Sequence, residues 1–423
     1  MNRRTLIRSA AALGAGAAQA ATFAAPAAAA DPTPAELLEA LWKAIQGHYP
    51  MLEFVGSHGD AWFEEFRPRV NAAKDLAAAY PILEELVCRL RDYHTRLVWP
   101  GRPNPWPLPI RGHELDGGVV VVRKSGVTEV APGDEITAVG GLPVREALAT
   151  ARRLAVGSTP EALSRDAVNR MLSAPRNSEV ALRMRRDSSD RELQLPASGF
   201  PGSERTVSHR AFDGGTAYIR IPRWSPLPGE NLTALFDEAL EAYRKSPYLV
   251  IDVRDNGGGA DSLADSATGR FLKKRVISSI SFHRAVPTLD FKRTIEWCEP
   301  RGPWRYEGRF AVLTDEGCAS ACEHFVSGML AAGACLVGMP TNGACGWSRR
   351  IDLPGGAALF CSRTFPLHGG TPSPLHGMEP HFRVPLTRED LRAGKDAALD
   401  QALNWLRSGE PLPSRRQPVT GFG

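Results

Sequence analysis

The sequence has 423 residues, of which 43% are apolar and 23% charged, and carries a net charge of +4. This is the composition of a globular protein, and the chain is too long for one ordinary domain, so a disordered or fibrous protein is excluded. Arg3, Arg4 and Arg8 lie in residues 1–30, where there is no acid; without that segment the charge falls to +1, so the chain is nearly neutral and its charge does not point to nucleic acid.

Residues 1–30 read as a Tat-type export signal. A twin arginine, Arg3-Arg4, precedes a weakly apolar alanine-rich run that ends in Ala28-Ala29-Ala30. The mature chain is therefore expected in the periplasm or outside the cell. No later run is long and apolar enough to span a membrane. The seven cysteines are an odd number, so at least one is free or pairs between molecules. Five of them fall between Cys318 and Cys361, where a disulfide has room to form. Cys318, Cys322 and His324 lack a CxxC spacing or a second ligand pair, so no metal is expected.

Residues 31–100 are predicted to be helical. Leu37, Leu38, Leu41, Trp42 and Ile45 form one apolar stripe, Trp62, Phe63, Phe66 and Val70 a second, and Leu83, Leu86, Val87 and Leu90 a third. The third stripe runs into Asp92-Tyr93-His94-Thr95, ahead of a proline-rich linker from Pro100 to Pro109. Residues 104–198 read as a compact β unit. The strand Gly118–Val122 is followed by a Pro132-Gly133 turn, a strand through Ile136 and Val139, a Gly140-Gly141 turn, and a helical stretch from Arg145 to Leu172. Strands around Val180–Met184 and Leu193–Leu195 close the unit.

Residues 205–410 alternate strand and helix, which predicts an α/β domain. Its strands are Thr216–Ile221, Tyr248–Val253, Phe310–Leu313, Ala334–Gly338 and Ala357–Cys361, and its helices include one from Asp261, one after Ser320 and one from Asp390 to Leu406. Residues 411–423 read as a flexible tail. Ser320 sits where the strand Phe310–Leu313 turns into a helix marked by Cys322, Phe325, Val326, Met329 and Leu330. The unpaired N–H groups of a helix start carry partial positive charge. A hydroxyl there can attack a carbonyl while neighbouring N–H groups hold the oxyanion; a helix cap is the plainer role for such a serine. The Asn256-Gly257-Gly258-Gly259 turn after a buried strand would let a substrate approach the backbone closely.

Four stretches, in order, resemble the carboxyl-terminal processing, or tail-specific, serine peptidases, and most of all the branch of the tricorn core protease and the interphotoreceptor retinoid-binding proteins. They are Asp92-Tyr93-His94-Thr95, the run Ile251-Asp252-Val253-Arg254-Asp255-Asn256-Gly257-Gly258-Gly259, Ser320-Ala321-Cys322-Glu323, and Gly338-Met339-Pro340-Thr341-Asn342-Gly343. Pro132-Gly133-Asp134-Glu135-Ile136 adds a PDZ-like mark. The resemblance implies an α+β multidomain fold: an N-terminal helical cap, a PDZ-like β module and an α/β catalytic core like those of crotonase and Clp protease. It implies an exported serine endopeptidase acting on unfolded or C-terminally recognised polypeptides without a cofactor. Ser320 would be the nucleophile and His94 the general base, with an oxyanion hole from Gly257 or Gly258 together with Ala321. One branch of the family places a lysine base after the last motif; Ala344 and Cys345 stand there, and no lysine occurs between Lys292 and Lys395. The expected glutamate is Pro374, which leaves Asp92, Glu379 or His376 as candidates to orient the histidine. Two rivals share the same residues: a non-catalytic binding protein for a peptide or small apolar ligand, and a hydrolase of small esters or amides. Arg111 is expected to be an exposed surface arginine.

Overall fold

The computed structural model describes residues 31–52, 58–199, 205–284, 290–344, 346–368, 371–372 and 376–415. Residues 1–30, where the export signal is expected, lie outside them, as do Cys345, Pro374 and residues 416–423.

Three helices follow the three apolar stripes: Pro34–His48, His58–Asn71 and Leu76–Cys88. The first starts with a capping box. Thr33 accepts the Glu36 N–H through its hydroxyl, while Glu36 reaches back to the Thr33 N–H, so two otherwise unpaired donors are satisfied. The buried stripes do not close on one another alone. They share a core with Leu353, Leu359 and Cys361, far along the chain. The strand Arg96–Val98 seals this contact by pairing antiparallel with Ala358–Ser362. The helical region is thus anchored on a sheet from the C-terminal part of the chain.

The β unit is an antiparallel sheet in the order Ile110–Leu115, Gly118–Lys124, Glu135–Val139, Glu179–Arg186, Ser189–Pro196. At its tight turn Gly133 adopts φ +86° and donates its N–H to Val121. Asp134, buried behind the turn, accepts from Arg186, Arg191 and the Ala131 N–H. The predicted helix Arg145–Leu172 is two helices, Val144–Arg152 and Pro160–Met171. Thr159 caps the second, and Pro160 occupies its first turn, where a missing N–H costs nothing.

The large domain is built on a sheet in the order Ser208–Phe212, Thr216–Arg220, Tyr248–Asp252, Arg309–Thr314, Cys335–Gly338, Phe382–Arg383. All pairs but the first are parallel. Both faces are buried, as parallel sheets require. Leu249 and Ile251 point into one core with Phe236, Phe325 and Met329, and Val250 into another with Leu399 and Trp405. The predicted helix Asp390–Leu406 is likewise two, Arg388–Ala393 and Ala397–Ser408, broken where Gly394 adopts φ +64°. A second sheet was not anticipated: Phe291–Cys298, Val276–Arg284, Thr364–His368 and Thr371–Pro372, paired antiparallel.

Candidate active site

Tyr248–Asp252 and Arg309–Thr314 run parallel in register, with Asp252 beside Leu313, so both carboxyl ends open on the same edge. In open α/β sheets that edge is where ligands bind. The end of the first strand is rigidly tied. Asp252, buried, accepts the Tyr218 hydroxyl at 2.7 Å and the Arg254 guanidinium at 2.6 Å, and Arg254 reaches on to Asp396 at 2.7 Å. Asn256, fully buried, donates to the Ile221 carbonyl and accepts the Gly258 N–H, each at 2.9 Å. Its own carbonyl accepts the Ala319 N–H at 3.1 Å. A Cβ on Gly258, which has φ +101°, would lie 2.8 Å from both the Ala319 carbonyl oxygen and the Ser320 Cβ. No other residue fits between turn and serine.

Ser320 itself has φ +57° and ψ −123°, a conformation that side chains other than glycine rarely adopt. It is paid for locally: the Ser320 N–H donates to the Ala344 carbonyl at 2.8 Å, and the Ser320 carbonyl accepts the N–H groups of Glu323 and His324. The helix Ala321–Ala331 begins at the next residue. Among the described residues the N–H groups of Gly257 and Ala321 make no hydrogen bond, whereas that of Gly258 is taken by Asn256.

Glu323 holds the far wall, a role the sequence motif did not reveal. Its carboxylate is wholly buried and accepts the Thr341 hydroxyl at 2.6 Å and the N–H groups of Gly343 and Ala344 at 2.8 and 2.7 Å. Ala344 is the residue that fixes the Ser320 N–H. The third and fourth motifs are therefore two sides of one hydrogen-bonded clamp.

His94 is delivered by the turn between the third helix and the strand Arg96–Val98. Its Nε2 lies 3.2 Å from Ser320 Oγ. Asp92 shapes that turn: it accepts the His94 N–H at 2.9 Å and the Thr95 hydroxyl at 2.6 Å, and Thr95 Oγ1 accepts the Ser362 N–H at 3.0 Å. The candidate orienting acids do not act as expected. Among the described residues, Nδ1 of His94 is buried without a hydrogen-bond partner. Asp92 serves the turn instead, and Glu379 faces Arg383 at 3.4 Å. Burial lowers the His94 pKa, against a raising influence from Asp92 and Asp261, so the imidazole is neutral near neutral pH and can accept a proton. Tyr93 packs edge-on to the imidazole, ring centroids 5.7 Å apart.

The cysteine reading is corrected too. No disulfide joins any two of the six described cysteines, and all six are buried. The thiols of Cys318 and Cys322 both face the Val253 carbonyl, while His324 Nε2 bonds Asp265 at 2.8 Å, so the three do not converge. A partly buried ionic cluster leaves no mark in the sequence either. Arg165, from the β unit, pairs with Asp255, Asp315 and Glu316 at the loop before Ser320, and His113 adds to Glu316 at 3.5 Å. Arg111 is half-buried within the field of Arg165, Asp255 and Arg123 rather than on an open surface. Burial beside Asp255 pushes Asp315 up to about 7, while the hydrogen bond from His113 and the charge of Arg165 hold Glu316 down to about 2.

The profile of peptidase family S41 matches residues 215–384, which contain Ser320 and the glycine turn but not His94. No curated protein matches the sequence. Mature CPAF has a similar fold, with TM-score 0.73 and 15% identity over 90% of this chain and 99% of that one. So does the photosystem II D1 C-terminal processing protease, with TM-score 0.52 and 19% identity over 87% and 98%. Residues 215–384 are a peptidase family S41 domain, and the chain is a serine-type peptidase.

Proposed function

We propose that the chain is an exported endopeptidase that cleaves unfolded or C-terminally recognised polypeptides through an acyl-enzyme on Ser320. The observation that carries this reading is the 3.2 Å approach of His94 Nε2 to Ser320 Oγ across 226 residues of sequence. His94 takes the hydroxyl proton as Oγ bonds to the substrate carbonyl carbon. The N–H groups of Gly257 and Ala321 hold the oxyanion, since Gly258 is occupied by Asn256. The tetrahedral adduct collapses, the C–N bond breaks, and His94 gives its proton to the leaving amine. Water then repeats the cycle and frees the acid product. The β unit serves as a PDZ-like module that adds a substrate strand to its sheet, with the Arg165 cluster tying it to the serine loop. Residues 1–30 direct export.

The test is a digest of unfolded proteins by the mature enzyme beside Ser320→Ala, with new termini read by mass spectrometry. We expect termini that vanish in the variant, and an enzyme recovered from outside the cytoplasm whose N-terminus lies near Asp31. Equal cleavage by both proteins would refute the role of Ser320, and a retained N-terminal segment would refute export.

A further inference from the structure

Ser320 and His94 open on a cavity of about 580 Å³ that also carries Asp261, Glu296 and His324 on its walls. Asp261 opens the helix that follows the glycine turn. Glu296 stands opposite Ser279 in the unanticipated sheet. His324 lies one helical turn beyond Ser320. Among the described residues, the rest of the wall combines the hydroxyls of Ser262, Ser279, Ser281, Ser348 and Thr364 with the Trp347 ring, and no lysine or arginine lines it. One acid near the cavity is compensated: Asp265 meets His324 at 2.8 Å. The Asp261 carboxylate makes no hydrogen bond or ion pair among the described residues, and Glu296 has the Ser279 hydroxyl. Burial raises the pKa of both carboxyls. His324, whose pKa Asp265, Asp261 and Glu296 all raise, is the cation this wall offers, and it is bonded to Asp265; three carboxyls to one imidazolium leave an excess of negative charge that an entering cation would offset.

The placement says which cation. The cavity wall runs from Ser320 through Gly259 and Ala260 to Asp261, continuing the turn whose N–H would hold the attacked carbonyl. The side chain one carbon from that carbonyl is the one that enters. We propose that the cavity receives a lysine or arginine side chain from the residue on the acyl side of the cleaved bond, with Asp261 and Glu296 as the residues that determine this specificity. An apolar side chain there would strip water from both carboxylates, and an acidic one would be repelled. This inference rests on the role proposed for Ser320.

Fluorogenic peptides differing only in Arg, Leu or Glu at that position test it, together with a census of termini from unfolded proteins. The unmodified enzyme should enrich Lys and Arg on the acyl side and favour the Arg over the Leu peptide in kcat/KM. Asp261→Asn combined with Glu296→Gln should lower that ratio by about ten- to a hundredfold, the range for losing bonds to a charged group. Ser320-dependent cleavage with an apolar or acidic preference, or with Lys and Arg only on the leaving side, overturns the inference alone, whether or not the double variant folds. An unaltered ratio in a folded double variant does the same. No Ser320-dependent cleavage of any peptide removes the functional reading and this inference with it.

Discussion

Ser320 and His94 meet at 3.2 Å, yet the molecule holds them by different means. Ser320 stands at the end of a buried parallel strand, with its N–H and carbonyl hydrogen-bonded, Gly258 pressed against its Cβ, and the Glu323 clamp behind it. His94 stands on a turn fastened by a three-residue strand and by Asp92 and Thr95, and among the described residues its Nδ1 has no acceptor. One half of the pair is over-determined, and the other is held by its backbone rather than by its ring. If His94 is the base, as proposed, the missing orienting acid should cost less than loss of the nucleophile would. Strain at Ser320 needs the over-determination, since a positive φ on serine survives only where its surroundings enforce it.

The largest effect should come from the weakly held side. His94→Ala should lower kcat/KM by about 10²–10⁴-fold, the usual worth of general base catalysis. Denaturant unfolding should meanwhile stay within about 1 kcal/mol of the parent, because among the described residues the imidazole makes one side-chain hydrogen bond, to Ser320, beside an edge contact with Tyr93. Activity surviving in the variant would assign the base elsewhere.

Next in size is an attack on the firmly held side. Glu323→Ala orphans the Thr341 hydroxyl and two backbone N–H groups in a dry interior, and should cost about 3 kcal/mol or more in urea unfolding. A smaller loss would show that the loop Thr341–Ala344 keeps its shape without the carboxylate.

The smallest effect is a displacement along the pH axis. His94 accepts a proton only when neutral, so activity should rise with pH as it deprotonates. Burial lowers its pKa below the ordinary 6.5, so the acid limb of kcat/KM should lie below 6.5 with little change from there through neutrality. An acid limb above 6.5 would mean that a carboxylate reaches Nδ1 when substrate binds.

Much of this was legible in the chain because it is local. Strands buried on both faces read as apolar runs, as in Tyr248–Asp252, and the serine, the glycine turn and the following helices sit within a few residues of their own signals. Helix breaks were lost where a capped restart or a left-handed glycine interrupts an otherwise helical pattern, at Thr159 and at Gly394. The sheet from Val276 to Cys298 was lost because its strands alternate serine and charge with apolar residues and bury little on their outer face. The Arg165 cluster left no trace, since an arginine in a helix of the β unit has no local feature that names partners at Asp255, Asp315 and Glu316.

By itself the sequence determined Ser320's setting between strand and helix, the glycine turn and the absence of a lysine just after Gly343. These depend on propensity, glycine geometry and residue identity over short stretches. Only the tertiary structure decided that His94 reaches the serine, because that depends on Arg96–Val98 pairing with Ala358–Ser362, a contact whose free energy comes from surfaces far apart in the chain. The same holds for what does not reach it. Asp92 bonds within its turn, Glu379 faces Arg383, and Asp261 and Glu296 line the cavity on which the serine opens. Hydrogen-bond geometry assigns a carboxylate to one partner over another within an ångström, and one-dimensional spacing does not carry that distance.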